Sequence, residues 1–363
     1  MNKHIFYIAA ACAALASCVK NEVRVDAPDK EITFQTVSTK AGTAFETDKH
    51  FFSYAYFLEK DKTWDPDFAS AKPYIDNALI TYEPGTSAGE GFWVAGETYY
   101  WPKQGSLTFF AWTDNTIHNT TSNPAPSVGT GATVSCAPNT GIKIENYSVK
   151  DNLNKDILVA EIAKDRRSNE SATGTWKKGV PTVFRHALAK VEFKVNKRTK
   201  YTDVEFKVKS ITLNNVSTKG TFTQGSPDET TGWKWSDWDE TGNLTVFSST
   251  TGQEVTKTAD NTAETGFDIL TPATGDYSIV LPQNFDAAST SALTIVYDII
   301  TKYTGTPVTE TVTETKALNG IYTSDWESGK KYILKITLGL NEIYWDPSVE
   351  GWDETGAATD IQF

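Results

Sequence analysis

The chain has 363 residues, and typical domains of about 150 residues predict two of them. It is rich in threonine and has 12% aromatic residues, which favours β-sheets and excludes collagen, coiled coils and wholesale disorder. The formal net charge of −12 disfavours nucleic acid as a partner, because phosphate neutralisation requires clustered lysines and arginines.

The first eighteen residues have the pattern of a bacterial lipoprotein signal. A short basic start precedes an apolar stretch, residues 5–15, which is too short to cross a hydrocarbon core of about 30 Å. Leu15, Ala16, Ser17 and Cys18 then match a lipobox, which implies cleavage between Ser17 and Cys18 and lipidation of the Cys18 thiol. The alternative is an incidental cysteine in an ordinary secretory signal. We predict a signal peptide over residues 1–17 and fatty chains such as palmitate on Cys18.

The other two cysteines have no partner for an intramolecular disulfide. Cys12 leaves with the signal peptide and Cys18 carries lipid, so Cys136 stands alone in the mature chain. Cys136 lies in residues 118–141, which we predict to be a long surface loop because Asn, Thr, Pro, Ser and Gly dominate there. A catalytic thiol is disfavoured, because no histidine is close to it in sequence.

Residues 18–30 are predicted to be a lipidated, flexible leash, since they combine mixed charge with Pro28 and lack apolar periodicity. Residues 19–22 resemble the charged signal that sends lipoproteins of Bacteroidetes to the outer face of the outer membrane. We therefore expect a lipid-anchored protein of the cell outer membrane, displayed at the cell surface.

Short alternating strands dominate the rest of the chain. The first has Ile32, Phe34 and Val37 as its apolar positions, and further strands are predicted over residues 51–58, 78–82, 93–100, 107–112 and 156–160. In the second half, residues 191–195, 204–208 and 332–338 alternate clearly, and a phase switch before Ile211 predicts a β-bulge. Such spacing predicts an all-β protein with two β-sandwich domains, over residues 31–178 and 179–363.

Motifs for catalysis or phosphate binding are missing from the sequence, so we expect neither an enzyme nor a cofactor. His50, His118 and His186 lie in different segments, and we predict surface or capping positions rather than a metal site. A pair of acidic residues brought together by folding, as in a glycosidase, is the third and weakest functional alternative.

Three tryptophans lie close together in residues 225–242, which we predict to be a loop. Trp233, Trp235 and Trp238 would stack on the faces of a sugar, and the adjacent Asp237, Asp239 and Glu240 offer oxygen ligands for Ca²⁺. The interpretation we favour is a loop that folds back and packs these rings on a sandwich.

Several stretches, taken together, resemble the fimbrillin family of Bacteroidetes, the subunits and accessory proteins of type V pili. They cover most of the chain in order, and the most specific of them is Phe184-Arg185-His186-Ala187-Leu188-Ala189-Lys190-Val191. The others are Thr39-Lys40-Ala41, Trp101-Pro102 with residues 107–112, residues 156–160, residues 211–222 and residues 332–352.

The resemblance implies two transthyretin-like, Greek-key β-sandwiches and an assembly by strand exchange. In polymerising members a protease cuts after a basic residue beyond the first strand, and a strand of the next subunit fills the opened groove. Carried over to this sequence, the removable strand is Ile32 to Val37 and the cleavage site is Lys40–Ala41. Lysine departs from the usual arginine, and Arg24 is too early in the chain to release the strand.

The sequence therefore predicts a fimbrial subunit, anchor or tip component that contributes to cell adhesion. Its expected partners are other fimbrial subunits, the outer membrane through the lipid, and a surface glycan or protein. Residues 358–363 alternate, with Ile361 and Phe363 on one face, and we predict a donor strand or an intramolecular strand there. The alternative function is glycan binding by a surface lipoprotein that uses the tryptophan-rich segment.

Overall fold

The computed structural model describes residues 31–352, apart from residues 38–44, 86–90, 119, 169–178, 199–202, 226–232, 260–265, 303–304, 323 and 341–342. Several predicted features lie outside the described residues: the signal peptide and leash, Lys40, Ala41, Ile361 and Phe363. None of the described helices is long and apolar enough to span a membrane.

The described chain is almost entirely β-structure, with one four-residue helix, α1 (Trp64–Asp67), and two 3₁₀ turns, Phe68–Ser70 and Leu318–Gly320. The strands are β1 (Phe34–Val37), β2 (Phe51–Leu58), β3 (Lys72–Glu83), β4 (Phe92–Ala95), β5 (Ser106–Asp114), β6 (Thr133–Ala137), β7 (Gly141–Ser148), β8 (Ile157–Ala160), β9 (Ala163–Arg166), β10 (Val180–His186), β11 (Ala189–Arg198), β12 (Val204–Thr223), β13 (Lys234–Glu254), β14 (Thr258–Ala259), β15 (Asp268–Leu270), β16 (Ile279–Val280), β17 (Ala292–Thr301), β18 (Val308–Ala317), β19 (Lys330–Leu338) and β20 (Ile343–Gly351).

The N-terminal sheet closes on itself. Its strands run in the order β2-β3-β4-β1-β10-β8-β5-β9, and β2 also pairs with β5. Seven strands therefore form a closed circle, the N-terminal ring. The short strand β9 pairs with the same edge of β5 as β8 does, at Leu107 and Phe109. Closure leaves β1 with a neighbour on each side, so the ring would open if β1 were absent.

The two longest hydrophobic strands of the ring are buried on both faces. In β5 all nine residues are buried, and β2 is similar. Alternate residues of β5, such as Phe109, point into the ring. Their neighbours, such as Phe110, point away from it, into the core that the other two sheets form. Near-continuous apolar sequence is what a strand with two covered faces requires.

The second domain is a sandwich of two sheets. One has the order β18-β17-β12-β7-β6, with β13 also on β12. The other has the order β14-β11-β19-β20, with β15 and β16 also on β11. Alternate residues of both, including Phe193 and Phe206, meet in one core. The predicted bulge is confirmed, because the register of β12 shifts between Val208 and Ser210. The predicted all-β sandwich class is confirmed as well.

Some strands lie across the predicted domain boundary, residue 178, from the strands with which they pair. The β6–β7 hairpin precedes residue 178 but joins the sheet of β12, and β10 follows residue 178 but completes the N-terminal ring. The boundary itself stays a prediction.

Two predicted loops contain strands. Residues 118–141 include β6, which pairs with β7, and residues 225–242 include the start of β13, which pairs with β12. Both loop predictions were wrong at these positions. Their polar side chains lie on exposed or partly exposed positions of sheet strands, and backbone hydrogen bonds to a neighbouring strand fixed the structure.

Candidate functional site

The candidate site is the slot between β4 and β10, which residues 32–37 occupy. Here β1 runs parallel to β10 over four residue pairs, from Phe34 opposite Val180 to Val37 opposite Val183. On its other side β1 pairs with β4 at a single position, Phe34 opposite Trp93. Few backbone pairs therefore hold β1 in the ring.

Two side chains of this segment fill the centre of the ring. Ile32 is 2% exposed and Phe34 is 1% exposed. The ring of Phe34 meets Phe51 and Phe109 edge-to-face, each with centroids 5.7 Å apart. Burying such a side chain contributes about 1.5–3 kcal/mol. The predicted burial of Ile32 and Phe34 is confirmed, although Ile32 precedes the first residue of β1.

Close backbone contacts hold the segment beside β10. The Ile32 amide donates to the Tyr99 carbonyl at 2.8 Å, and the Val180 amide donates to the Thr33 carbonyl at 2.7 Å. Gly179 precedes β10 with φ +143°, and a Cβ there would lie 2.5 Å from the carbonyl carbon of Phe34. Position 179 therefore requires glycine for its backbone conformation and for the approach of β1.

Phe45 packs at the mouth of the slot. Its ring stacks on Phe184, with centroids 4.9 Å apart, and lies 5.3 Å from the Trp93 ring. The predicted cleavage residues, Lys40 and Ala41, fall between β1 and Phe45, in residues 38–44 outside the described part of the chain. A cut there would separate β1 from Phe45.

The walls of the slot are apolar and aromatic. Burial raises the pKa of Tyr74 and of Tyr99, so both hydroxyls stay neutral at physiological pH. The Tyr74 hydroxyl donates to the Tyr100 carbonyl. Apolar walls between two strand edges suit an extended segment with large apolar side chains at alternate positions.

The three tryptophans of the predicted sugar platform differ in exposure. Trp235 is 5% exposed and its indole N–H donates to the Ala187 carbonyl at 2.7 Å. Trp233 is partly buried and meets Phe222 edge-to-face. Trp238 is 41% exposed. Of the three rings, the structure thus leaves that of Trp238 the most exposed, and Trp235 packs as the favoured interpretation expected.

Histidine positions were predicted incorrectly, because two of the three are buried and paired with carboxylates. The Nε2 of His118 lies 2.6 Å from Asp114, and the Nδ1 of His186 lies 2.7 Å from Asp156. The His50 and His118 rings, far apart in sequence, also stack with centroids 5.8 Å apart.

A histidine four residues after an aspartate was the available signal for the first of these pairs. Within the described part of the chain, no group of three or more His, Cys, Asp or Glu side chains is arranged to hold a metal ion.

Cys136 lies on β6 rather than in a loop, and the Tyr56 hydroxyl donates to its carbonyl oxygen at 2.7 Å. Burial raises the pKa of the Cys136 thiol far above its ordinary value. Since the thiolate is the nucleophile, this environment makes the thiol inert.

Comparison with known proteins gives one family match over most of the chain. The family model described as fimbrillin-like matches residues 34–352. No curated protein sequence matches the chain.

Solved structures offer distant similarities. One is a protein from Bacteroides uniformis that is provisionally named a cell adhesion protein. It is 15% identical, the TM-score is 0.45, and the match covers 90% of this chain and 99% of that chain. The fimbrial anchor protein Mfa2 from Porphyromonas gingivalis is 10% identical with a TM-score of 0.33, and the match covers 89% of this chain and 97% of that chain. A protein from Bacteroides thetaiotaomicron, provisionally named a polysaccharide binding protein, is 11% identical with a TM-score of 0.38, and the match covers 92% of this chain and 98% of that chain.

Proposed function

The chain belongs to the fimbrillin-like family, and from this premise we propose that it is a surface lipoprotein of the fimbrium that assembles by strand exchange. In this proposal β1 is the removable strand, and a donor strand of another subunit takes its place between β4 and β10. The protein acts as a stalk subunit, anchor or tip component and contributes to adhesion. Its role is to bind and assemble, without catalysis.

The observation that carries the proposal is the position of β1 in the N-terminal ring. Residues 32–37 supply Ile32 and Phe34 to the core, yet β1 itself pairs at four positions with β10 and at one with β4. A bridge from Glu31 to Tyr100 and the Ile32–Tyr99 hydrogen bond add the remaining backbone contacts on the β4 side. Loss of β1 would leave two strand edges and an apolar cavity, which is a costly state. An incoming strand restores both the hydrogen bonds and the buried side chains.

The sequence contains a second segment with the side-chain pattern of β1. Ile32 and Phe34 are separated by Thr33, and Ile361 and Phe363 are separated in the same way by Gln362. In an extended segment, residues two apart lie on one face, so residues 361–363 would present an isoleucine and a phenylalanine in the same way as residues 32–34. We therefore propose residues 358–363 of a second copy as the donor strand.

Membrane attachment is proposed to occur through Cys18, after cleavage that follows Ser17. A chain that stays uncut at Lys40–Ala41 keeps this lipid and serves as an anchor or a surface lipoprotein. A chain that is cut there loses both the lipid and β1, because both lie before Lys40. The same cleavage would therefore release the subunit from the outer membrane and open the slot.

The test of strand exchange is limited digestion of the purified protein with a trypsin-like protease, followed by a native gel and N-terminal sequencing. Cleavage after Lys40 should produce a ladder of oligomers. The matched control, Lys40→Gln, should stay uncut at this position and monomeric under the same digestion. Cleavage at Lys40 that releases β1 without any assembly would argue against a stalk role.

Lipid anchoring has its own test. The Cys18→Ala variant should leave the membrane fraction, whereas Cys136→Ala should remain in it, because only Cys18 carries the proposed lipid. Membrane attachment of Cys18→Ala would overturn this part of the proposal.

Glycan binding is the second candidate function, and the exposure of Trp238 favours it at one position. A single exposed indole offers one stacking face for a sugar. If this ring binds a glycan, Trp238→Ala should abolish retention on a bacterial or host polysaccharide column, and Trp233→Phe should not. Equal retention of all three proteins would remove Trp238 from consideration.

A further inference from the structure

The edge strand β18 is unusually open. It lies at the end of its sheet, and within the described residues β17 is its one paired neighbour. Nine of its ten residues are exposed, and Val308 reaches 67% exposure. One side of the β18 backbone therefore presents a row of unpaired amide and carbonyl groups.

Two other edges of the second domain are interrupted, whereas β18 is regular and, with ten residues, longer than the edge strand β6. The edge strand β13 has several register shifts against β12, and β20 contains Pro347. By contrast, β18 keeps one continuous register with β17 over ten residue pairs and contains no proline. Bulges and prolines are two of the means by which proteins block pairing at an edge, and β18 has neither of them; its charged side chains are a third means.

Charge is the feature that limits which strand can pair with β18. The strand reads Val-Thr-Glu-Thr-Val-Thr-Glu-Thr-Lys-Ala, and Glu310, Glu314 and Lys316 lie on one face with Val308 and Val312. The threonines occupy the other face. A register that places a positive group opposite a glutamate is favoured, and one that places two glutamates opposite each other is disfavoured.

From this pattern we infer that β18 is an interface with a second copy of the chain, in which two β18 strands pair antiparallel about a two-fold axis at Thr313. In this register Glu310 of each copy lies opposite Lys316 of the other, which gives two oppositely charged pairs. Thr311 lies opposite Thr315 on the other face. The two sheets then join into one continuous sheet across the dimer.

Neighbouring registers are disfavoured by the same charges. A two-fold axis at Val312 would place Glu310 opposite Glu314 twice, and an axis at Glu314 would place that residue opposite itself. Like charges directly opposite one another destabilise a strand pair. An axis at Thr315 would also place Glu314 opposite Lys316, but it pairs only residues 313–317, whereas the axis at Thr313 pairs residues 309–317. Charge and paired length together therefore favour the axis at Thr313.

This interface differs from the slot of β1 and requires no cleavage. It uses a different domain, and it leaves residues 31–37 in place. Dimerisation of the uncut protein through β18 can therefore succeed or fail independently of the proposed strand exchange.

The test is disulfide formation in the full chain with Cys12 and Cys18 changed to serine. Residues directly opposite in an antiparallel pair have Cα atoms about 4.5–5.5 Å apart, within the range that a disulfide spans. Thr313→Cys should therefore form a covalent dimer under mild oxidation. The matched control Thr309→Cys should stay monomeric, because its counterpart in the second copy lies about 27 Å away along the strand.

A charge exchange provides the second arm. Sedimentation velocity should show about tenfold weaker dimerisation for Glu310→Lys, which places two lysines opposite each other, and recovery when Lys316→Glu is added. A protein that is monomeric up to the highest soluble concentration, or that crosslinks equally at positions 309 and 313, would overturn the inference.

Discussion

Phe34 combines the backbone pairing of β1 with packing in the core of the ring. Its side chain contacts Phe51 of β2 and Phe109 of β5, which lie across the ring from the slot. The backbone of the same residue pairs with Val180 and Trp93. One residue thus joins four strands of the ring, and its loss should affect the whole circle.

We expect Phe34→Ala to lower the free energy of unfolding by about 3–5 kcal/mol, because it removes a buried aromatic ring and leaves a cavity. Urea denaturation measures the change. The matched control is Thr36→Ala on the same strand, which is only partly buried and should cost less than about 1 kcal/mol. Similar costs for the two variants would contradict the central position assigned to Phe34.

Gly179→Ala should weaken the pairing of β1 with β10. The new Cβ would lie 2.5 Å from the Phe34 carbonyl carbon, and φ of +143° is unfavourable for alanine. Hydrogen exchange should therefore become faster at residues 32–37. Gly275→Ala is the control, since its φ is +100° but a Cβ there meets no atom within 4 Å. Unchanged exchange at β1 in Gly179→Ala would show that the close approach is unimportant.

At this scale, what the sequence could predict depended on how local the signal was. The alternation of apolar residues was enough to predict that Ile32 and Phe34 are buried, because this pattern is set by residues that are close together in sequence. The pairing of His186 with Asp156 was not predicted, since these residues come from β10 and from the turn before β8. Packing of Trp235 was expected, but the hydrogen bond from its indole to the carbonyl of Ala187, 48 residues away, was likewise not predicted.

Among the elements, the strands β6 and β13 explain why composition failed as a guide. Both are polar, and composition predicted loops there. β6 lies at the edge of a sheet, where its side chains do not have to be buried. β13 belongs to the same sheet because its backbone pairs with β12. Alternating strands such as β11 and β12 were predicted correctly, because one of their faces is buried and the other is wet.

The position of Cys136 on β6 leads to a prediction about its reactivity. Burial raises the pKa of the thiol, so at pH 8 it should be protonated in the folded protein and ionise only at much higher pH. Iodoacetamide should label Cys136 slowly in the native protein and at least tenfold faster in 6 M urea. In the same sample, the exposed thiol of Thr309→Cys serves as a fast-reacting control. Native Cys136 that reacts as fast as this control would place it outside the sheet.

The ring as a whole could not be predicted from local patterns. Its closure depends on parallel pairing between β1 and β10, which are separated by more than 140 residues, and on pairing between β2 and β5. The doubly buried β2 and β5 also attach the ring to the core of the second domain. We therefore expect loss of β1 to open the ring locally, while the wall shared with the second domain stays intact.

The central claim is that the slot between β4 and β10 releases β1 and accepts a donor strand. Hydrogen exchange of residues 179–186, measured on the intact protein, after cleavage at Lys40, and after addition of a peptide of residues 357–363, tests it most directly. Exchange should accelerate on cleavage and slow again with the peptide, but not with a control peptide in which Ile361 and Phe363 are alanine. Unchanged exchange after β1 has been released, or equal protection by both peptides, would contradict the claim.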